Sequence, residues 1–146
     1  MIQPNPAATL QRQLRLYKIK QLGDDLASQI QTFDRVPDVR GWFCGDLDGM
    51  VLFASISPTV EQRTLDAVAE NISATFKDSG QFDADALTEI ELRYGATHLI
   101  ARRVGDVWFA VWCGARADLA LVRLTLNVAT PTLAKDCTLQ AALAAR

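Results

Sequence analysis

The sequence predicts an α/β protein of the α+β type: a five-stranded antiparallel sheet with helices on both faces, in the order α-β-β-α-β-β-β-α. Three observations carry this. The first is Val107–Cys113, apolar at every position. At the two-residue period of a strand, Val107, Phe109, Val111 and Cys113 point one way and Trp108, Ala110 and Trp112 the other. A strand with one wet face would alternate apolar and polar, so this one is central and covered twice. The second is a pair of hairpin signals, Gly105-Asp106 before that strand and Asp46-Leu47-Asp48-Gly49 further upstream, where glycine supplies positive φ without a Cβ clash. The third is a helical stripe between the hairpins, formed by Leu65, Val68, Ala69, Ile72 and Phe76.

Residues 10–33 carry a helical pattern whose apolar face changes. Leu10, Leu14 and Tyr17 share one face, while Leu16, Ile19, Leu22, Leu26, Ile30 and Phe33 share roughly the opposite one. The second stripe reads as the first helix of the domain and the first as a helical extension. Gly23 weakens the helix by about 1 kcal/mol relative to Ala, so a bend is expected near it. Val36-Pro37-Asp38 ends the helix, because the residue before proline is pushed out of the α region.

Val39–Asp46 is the first predicted strand, and residues 50–54 return antiparallel to it. On the first strand Trp42 and Cys44 oppose Val39, Gly41 and Phe43. Ser57 is expected to cap the next helix with Pro58 at its first position. Beside its apolar stripe runs a narrower strip of mostly small, uncharged residues, Val60, Thr64, Ala67, Asn71 and Ala74, which would let another helix approach closely. Residues 87–94 alternate, with Ile90, Leu92 and Tyr94 on one face and Glu89, Glu91 and Arg93 on the other; that pattern suits an edge strand. Gly95-Ala96 turns into Thr97–Val104. The last helix starts near Asp118, where negative charge suits the helix dipole. It shows two stripes, one of Leu119, Val122, Leu126 and Leu133, the other of Leu121, Leu124 and Val128. Two apolar sides imply two partners, the sheet and either the N-terminal helix or a second subunit. Pro131 is expected to kink or end this helix, and residues 136–146 to form a short Ala/Leu-rich helix.

The 146 residues suit one domain, and 49% hydrophobic with 22% charged content is that of a soluble globular protein. A net charge of −2 without a basic run gives no indication of nucleic-acid binding. No apolar run is long enough to span a bilayer, and Met1–Pro6 has no signal-peptide pattern, so a cytoplasmic protein is expected. Cys44, Cys113 and Cys137 lack metal spacing and read as reduced thiols.

Asp46-Leu47-Asp48-Gly49 after an apolar strand is the one motif with catalytic overtones. In haloacid-dehalogenase-like phosphatases, Asp-x-Asp-Gly supplies a nucleophile and an acid/base around magnesium. The further lysine and acidic pair are missing from suitable positions, since the downstream lysines are Lys77 and Lys135 and Asp106 sits in a turn. A hairpin turn is the simpler reading. The EF-hand ligands that would follow Asp46 and Asp48 are absent. His98, the single histidine, reads as a hydrogen-bonded strand residue, and Arg102 and Arg103 point to opposite faces. No catalytic residue, metal ligand or cofactor site is therefore expected. Of the tryptophans, Trp108 and Trp112 are expected in the core, where truncation to Ala costs about 3–5 kcal/mol.

Taken in order, Val36-Pro37-Asp38-Val39-Arg40-Gly41, Asp46-Leu47-Asp48-Gly49 with Val51-Leu52-Phe53-Ala54-Ser55, Glu89-Ile90-Glu91-Leu92, and Asp118-Leu119-Ala120-Leu121-Val122-Arg123 resemble the Roadblock/dynein light-chain family. Asp118 and Ala120 replace the family's usual Asn and Gly. The resemblance covers about residues 20–133 and implies a five-stranded antiparallel sheet between helices. It divides the chain into an N-terminal leader and helical extension (1–19), a Roadblock-like domain (20–135) and a C-terminal tail (136–146). It further implies a non-enzymatic, homodimeric adaptor or regulator, with a small Ras-like GTPase as the foremost partner. Such domains dimerise through the second helix and third strand, which here gives Val60, Thr64, Ala67, Asn71, Ala74, Thr88, Ile90 and Leu92 as the expected interface. A small-molecule sensor of similar architecture is the alternative, and the phosphatase a remote one.

Overall fold

A computed structural model describes residues 13–17, 22–79 and 88–136. Its elements are β1 (Gln13–Leu16), α1 (Asp24–Gln31) with a 3-10 turn (Thr32–Arg35), β2 (Val39–Asp46), β3 (Val51–Ile56), α2 (Gln62–Ser79), β4 (Glu89–Tyr94), β5 (Thr97–Val104), β6 (Val107–Cys113) and α3 (Leu119–Lys135). The strands form one sheet in the order β1-β3-β2-β6-β5-β4, and every neighbouring pair is antiparallel.

As its composition requires, β6 lies inside the sheet between β2 and β5. Val107, Phe109, Val111 and Cys113 pack with α1 and α3 residues, among them Leu26, Ile30, Val122 and Leu126. Trp108 and Ala110 pack on the other face with Leu65, Ile72 and Phe76 of α2. The hairpins form at the glycines that permit them: Gly49, Gly95 and Gly105 have φ of 89°, 61° and 62°.

The helical reading of the N-terminus is corrected over Gln13–Leu16, which is a sixth strand paired with β3. Gln13-Leu14-Arg15-Leu16 alternates polar and apolar, so the segment fits a strand as well as a helix. The open edge of β3 decides between them. The Arg15 guanidinium donates to the carbonyls of Ser57 (3.3 Å) and Val60 (3.1 Å), and the Tyr17 N–H to Leu52 O (3.1 Å). Of the second predicted stripe, Leu26, Ile30 and Phe33 are buried, but α1 itself starts at Asp24. Gly23 stands before the helix instead of bending it. Leu10, Ile19 and the predicted tail helix lie outside the described residues.

Three local expectations also change. Ser57 and Pro58 form a turn, with the Val60 N–H donating to Ser57 O at 3.1 Å, and α2 begins only at Gln62. Pro131 does not end α3, which continues to Lys135. Val39 faces the same core as Trp42 and Cys44, because β2 shifts register against β6 between Val39 and Gly41. Beside this shift Asp38 adopts φ of 62°, its carbonyl accepting from the Gly114 N–H and its carboxylate from the Arg116 N–H, both at 2.8 Å. Aspartate tolerates this left-handed backbone better than most residues.

Trp108 is fully buried and its Nε1–H donates to Asp46 O and to Ser73 Oγ, each at 2.9 Å. The ring lies against Gly45, where a Cβ would come within 2.2 Å of it. Trp42 is buried as well, stacked on Phe109 and edge-on to Phe53, both at 6.0 Å. Trp112 is half-buried. In urea unfolding, Trp108→Ala is therefore expected to show the full loss of about 3–5 kcal/mol, and Trp112→Ala distinctly less. Gly45→Ala is expected to cost about 2–3 kcal/mol through overpacking against an immobile indole, read as a lower urea midpoint at unchanged slope.

Candidate functional site

The motif with catalytic overtones is a structural turn. Asp46 is buried, and its Oδ1 accepts the backbone N–H groups of Asp48 (2.9 Å) and Met50 (3.1 Å), which closes the hairpin from within. Asp48 is exposed and pairs with Lys77 at 3.2 Å. Among the described residues no three His, Cys, Asp or Glu side chains are grouped as metal ligands would be, and no helix is long and apolar enough to cross a membrane. Burial pushes the Cys113 thiol up to about 11, with Asp38 and Glu91 adding to it. Burial, with Asp46 and Asp136, pushes Cys44 up further still. Both thiols are thus held protonated and unreactive. Between α1, α3 and the sheet, the space bordered by Leu26, Phe109 and Leu126 is about 10 Å³, no more than one water needs.

The surface is more informative. The buried stripe of α2 is the expected one, Leu65, Val68, Ala69, Ile72 and Phe76. Thr64, Ala67, Asn71 and Ala74 lie exposed along its flank, and Val60 is half-buried in the turn before the helix. This flank reaches β4: Asn71 Nδ2 donates to the Tyr94 hydroxyl at 2.8 Å. On β4 itself Ile90 is buried and Leu92 half-buried, both packed on the α2 side, and Thr88 just ahead of the strand is exposed. Among the described residues β4 pairs with β5 alone and forms one border of the sheet. The Thr88 carbonyl accepts the Arg103 N–H at 2.8 Å. Residues of that parity turn their backbone groups inward, so Glu89, Glu91 and Arg93 direct theirs outward.

On the opposite face of β4 lies an ion-pair network that the sequence reading missed. Glu89 pairs with Arg102 (2.5 Å) and Arg123 (2.9 Å), and Glu91 with Arg123 (3.2 Å); His98 Nδ1 lies within hydrogen-bonding distance of Glu91 Oε1, at 3.2 Å. Arg102 also donates to Asn127. Glu89 lies directly opposite Arg102 in the β4–β5 register, a pairing that counting back from the Gly95 turn would have exposed. Burial pushes the Glu89 carboxyl up, but hydrogen bonds from Arg102 and Arg123 outweigh it and hold the group below its usual range. On α3, Leu121, Leu124 and Val128 are 38%, 59% and 56% exposed; no described element covers this second stripe.

No protein-family model and no curated protein matches the sequence. Solved structures do match. The Roadblock/LC7 domain from Streptomyces avermitilis superposes with a TM-score of 0.59 at 19% identity, over 77% of this chain and 95% of that one. The Roadblock/LC7 fold is what this chain has. Myxococcus xanthus MglB superposes with a TM-score of 0.63 at 18% identity, over 77% and 94% of the two chains. An MglB with a tetrameric arrangement gives 0.64 at 16%, over 85% and 96%.

In this Roadblock/LC7 fold the network fastens the border strand to α3. Because the folded Glu89 pKa is lowered, its contribution is fully present above the unfolded carboxyl value and is lost as pH falls through the folded value. Glu89→Gln is expected to cost about 1–2 kcal/mol at neutral pH. The gap to the native protein should close as urea titrations are carried down below about pH 4.

Proposed function

We propose that the protein is a non-enzymatic, homodimeric adaptor or regulator of a small Ras-like GTPase, self-associating through α2 and β4. The carrying observation is the junction of the exposed α2 flank with a sheet border that has outward backbone donors and acceptors. Thr64, Ala67, Asn71 and Ala74 supply small side chains for a close helix contact. Thr88, Ile90 and Leu92, with Val60 at the start of the flank, form the rest of the proposed interface. Self-association has a precedent on this fold in the tetrameric arrangement of MglB. The GTPase partner follows from the resemblance of the motifs to the Roadblock/dynein light-chain family.

Sedimentation equilibrium is expected to give twice the chain mass at micromolar concentration. Ala67→Arg should weaken association on the order of a hundredfold, because each interface then buries two unpaired charges, with the circular dichroism of the chain unchanged. Small GTPases from the same genome, mixed with the dimer, should include one that binds it or hydrolyses GTP at a changed rate. A monomeric native protein removes the homodimer, and a full set of GTPases without binding or rate change removes the regulator.

A further inference from the structure

We propose that two copies pair along β4 in one register, with the two-fold axis at Leu92 and Glu91 of each copy opposite the partner's Arg93. The inference rests on reading β4 as the self-association border, and adds which residues choose the alignment. Two identical borders that close on each other do so about a two-fold axis, hence antiparallel. Residues opposed in an antiparallel pair lie on the same face of the sheet, so the axis must pass through a residue. Four positions are available. With the axis at Ile90, Glu89 meets the partner's Glu91 twice. With the axis at Glu91 or at Arg93, that charge meets its own copy. Like charges directly opposed are unfavourable. With the axis at Leu92, two Glu91–Arg93 pairs form, Ile90 meets the partner's Tyr94 twice, and Leu92 meets its own copy.

The described surroundings agree with this alignment. Arg93 is exposed and forms no ion pair among the described residues, so the pairing gives it a partner. Glu89 is held by two guanidinium groups, those of Arg102 and Arg123, whereas Glu91 shares only that of Arg123 and has the more exposed side chain, 36% against 26%; Glu91 is therefore the freer of the two for a bond across the border. The outward backbone groups belong to Glu89, Glu91 and Arg93. An axis at Leu92 therefore makes each Glu91–Arg93 pair a hydrogen-bonded one, while the two Leu92 residues form a non-hydrogen-bonded pair with Cα atoms about 4.5 Å apart. That spacing is within the range a disulfide can bridge.

The test uses the full chain with Cys137→Ser, into which Ile90→Cys, Glu91→Cys, Leu92→Cys or Arg93→Cys is introduced singly. After mild oxidation, Leu92→Cys is expected to run as a covalent dimer on a non-reducing gel, with the other three lagging at least about tenfold in rate. Charge reversal gives an independent reading. Glu91→Arg and Arg93→Glu, each alone, should associate more weakly than the native chain. Mixed together they should form a heterodimer, because opposite charges then meet on both sides of the axis. A native dimer that cross-links fastest through Ile90→Cys, Glu91→Cys or Arg93→Cys overturns the register and leaves the β4 border in place. A native dimer that cross-links through none of the four overturns the border as well. A monomeric native protein defeats the self-association reading itself.

Discussion

The structure depends on how Trp108 is held. Its indole fills the space over Gly45 and stands edge-on to Phe43, with ring centroids 5.3 Å apart. A buried Nε1–H without an acceptor would cost about 1–3 kcal/mol, and here it has two, Asp46 O and Ser73 Oγ. Ser73 in turn donates to the same Asp46 carbonyl at 2.8 Å. One side chain of β6 therefore ties together the end of β2 and the middle of α2. Rotating α2 about its axis would break these bonds, and the rotation they fix is what turns Thr64, Ala67, Asn71 and Ala74 outward. The same arrangement explains why an Asp-x-Asp-Gly motif carries no catalytic geometry here. The carbonyl of Asp46 receives the Trp108–Ser73 cluster and its carboxylate closes the turn, so the residue is committed to the architecture.

The last two strands were legible to the residue, and β4 to within two residues at its start, because their signals are local. Gly105 and Gly95 mark turns that other residues reach only with strain, and Val107–Cys113 is too apolar to have a wet face. The N-terminal segment was not legible for the opposite reason. Leu14 and Tyr17 satisfy a helical spacing and Leu14 and Leu16 an alternating one. The choice is made by β3, about forty residues away, whose border needs hydrogen-bond partners and whose following loop offers carbonyls to Arg15. Strand propensity is largely a property of such surroundings. Val39 shows the same limit on a smaller scale, since a register shift reverses the face that strict alternation assigns to it.

The candidate site divides along similar lines. The α2 flank and the border character of β4 could be read from one segment each. Of the ion network, Glu89 opposite Arg102 follows from the hairpin register, but Arg123 lies on α3 and joins them only once that helix is in place. The second stripe of α3 was visible as a pattern, and the structure leaves Leu124 and Val128 exposed. The N-terminal helix considered as its cover is a strand over Gln13–Leu16, on the far border of the sheet.

The two borders of the sheet answer the same hazard differently. A strand with unpaired backbone groups is a template for indiscriminate pairing. On one side β1 has four residues among those described, and a short border offers few bonds to an intruder. On the other side β4 has six residues and one apolar face, so length gives no protection. There the guard is charge: Glu89, Glu91 and Arg93 stand on the second face, and Arg102 and Arg123 hold the two carboxylates in place. An arriving strand must match fixed charges in a fixed order, and most sequences do not. A copy of the same strand can, because acid and base are spaced two residues apart and an antiparallel alignment brings each against the other. On the proposed register, the charge pattern that deters a foreign strand is one that a second copy of β4 complements.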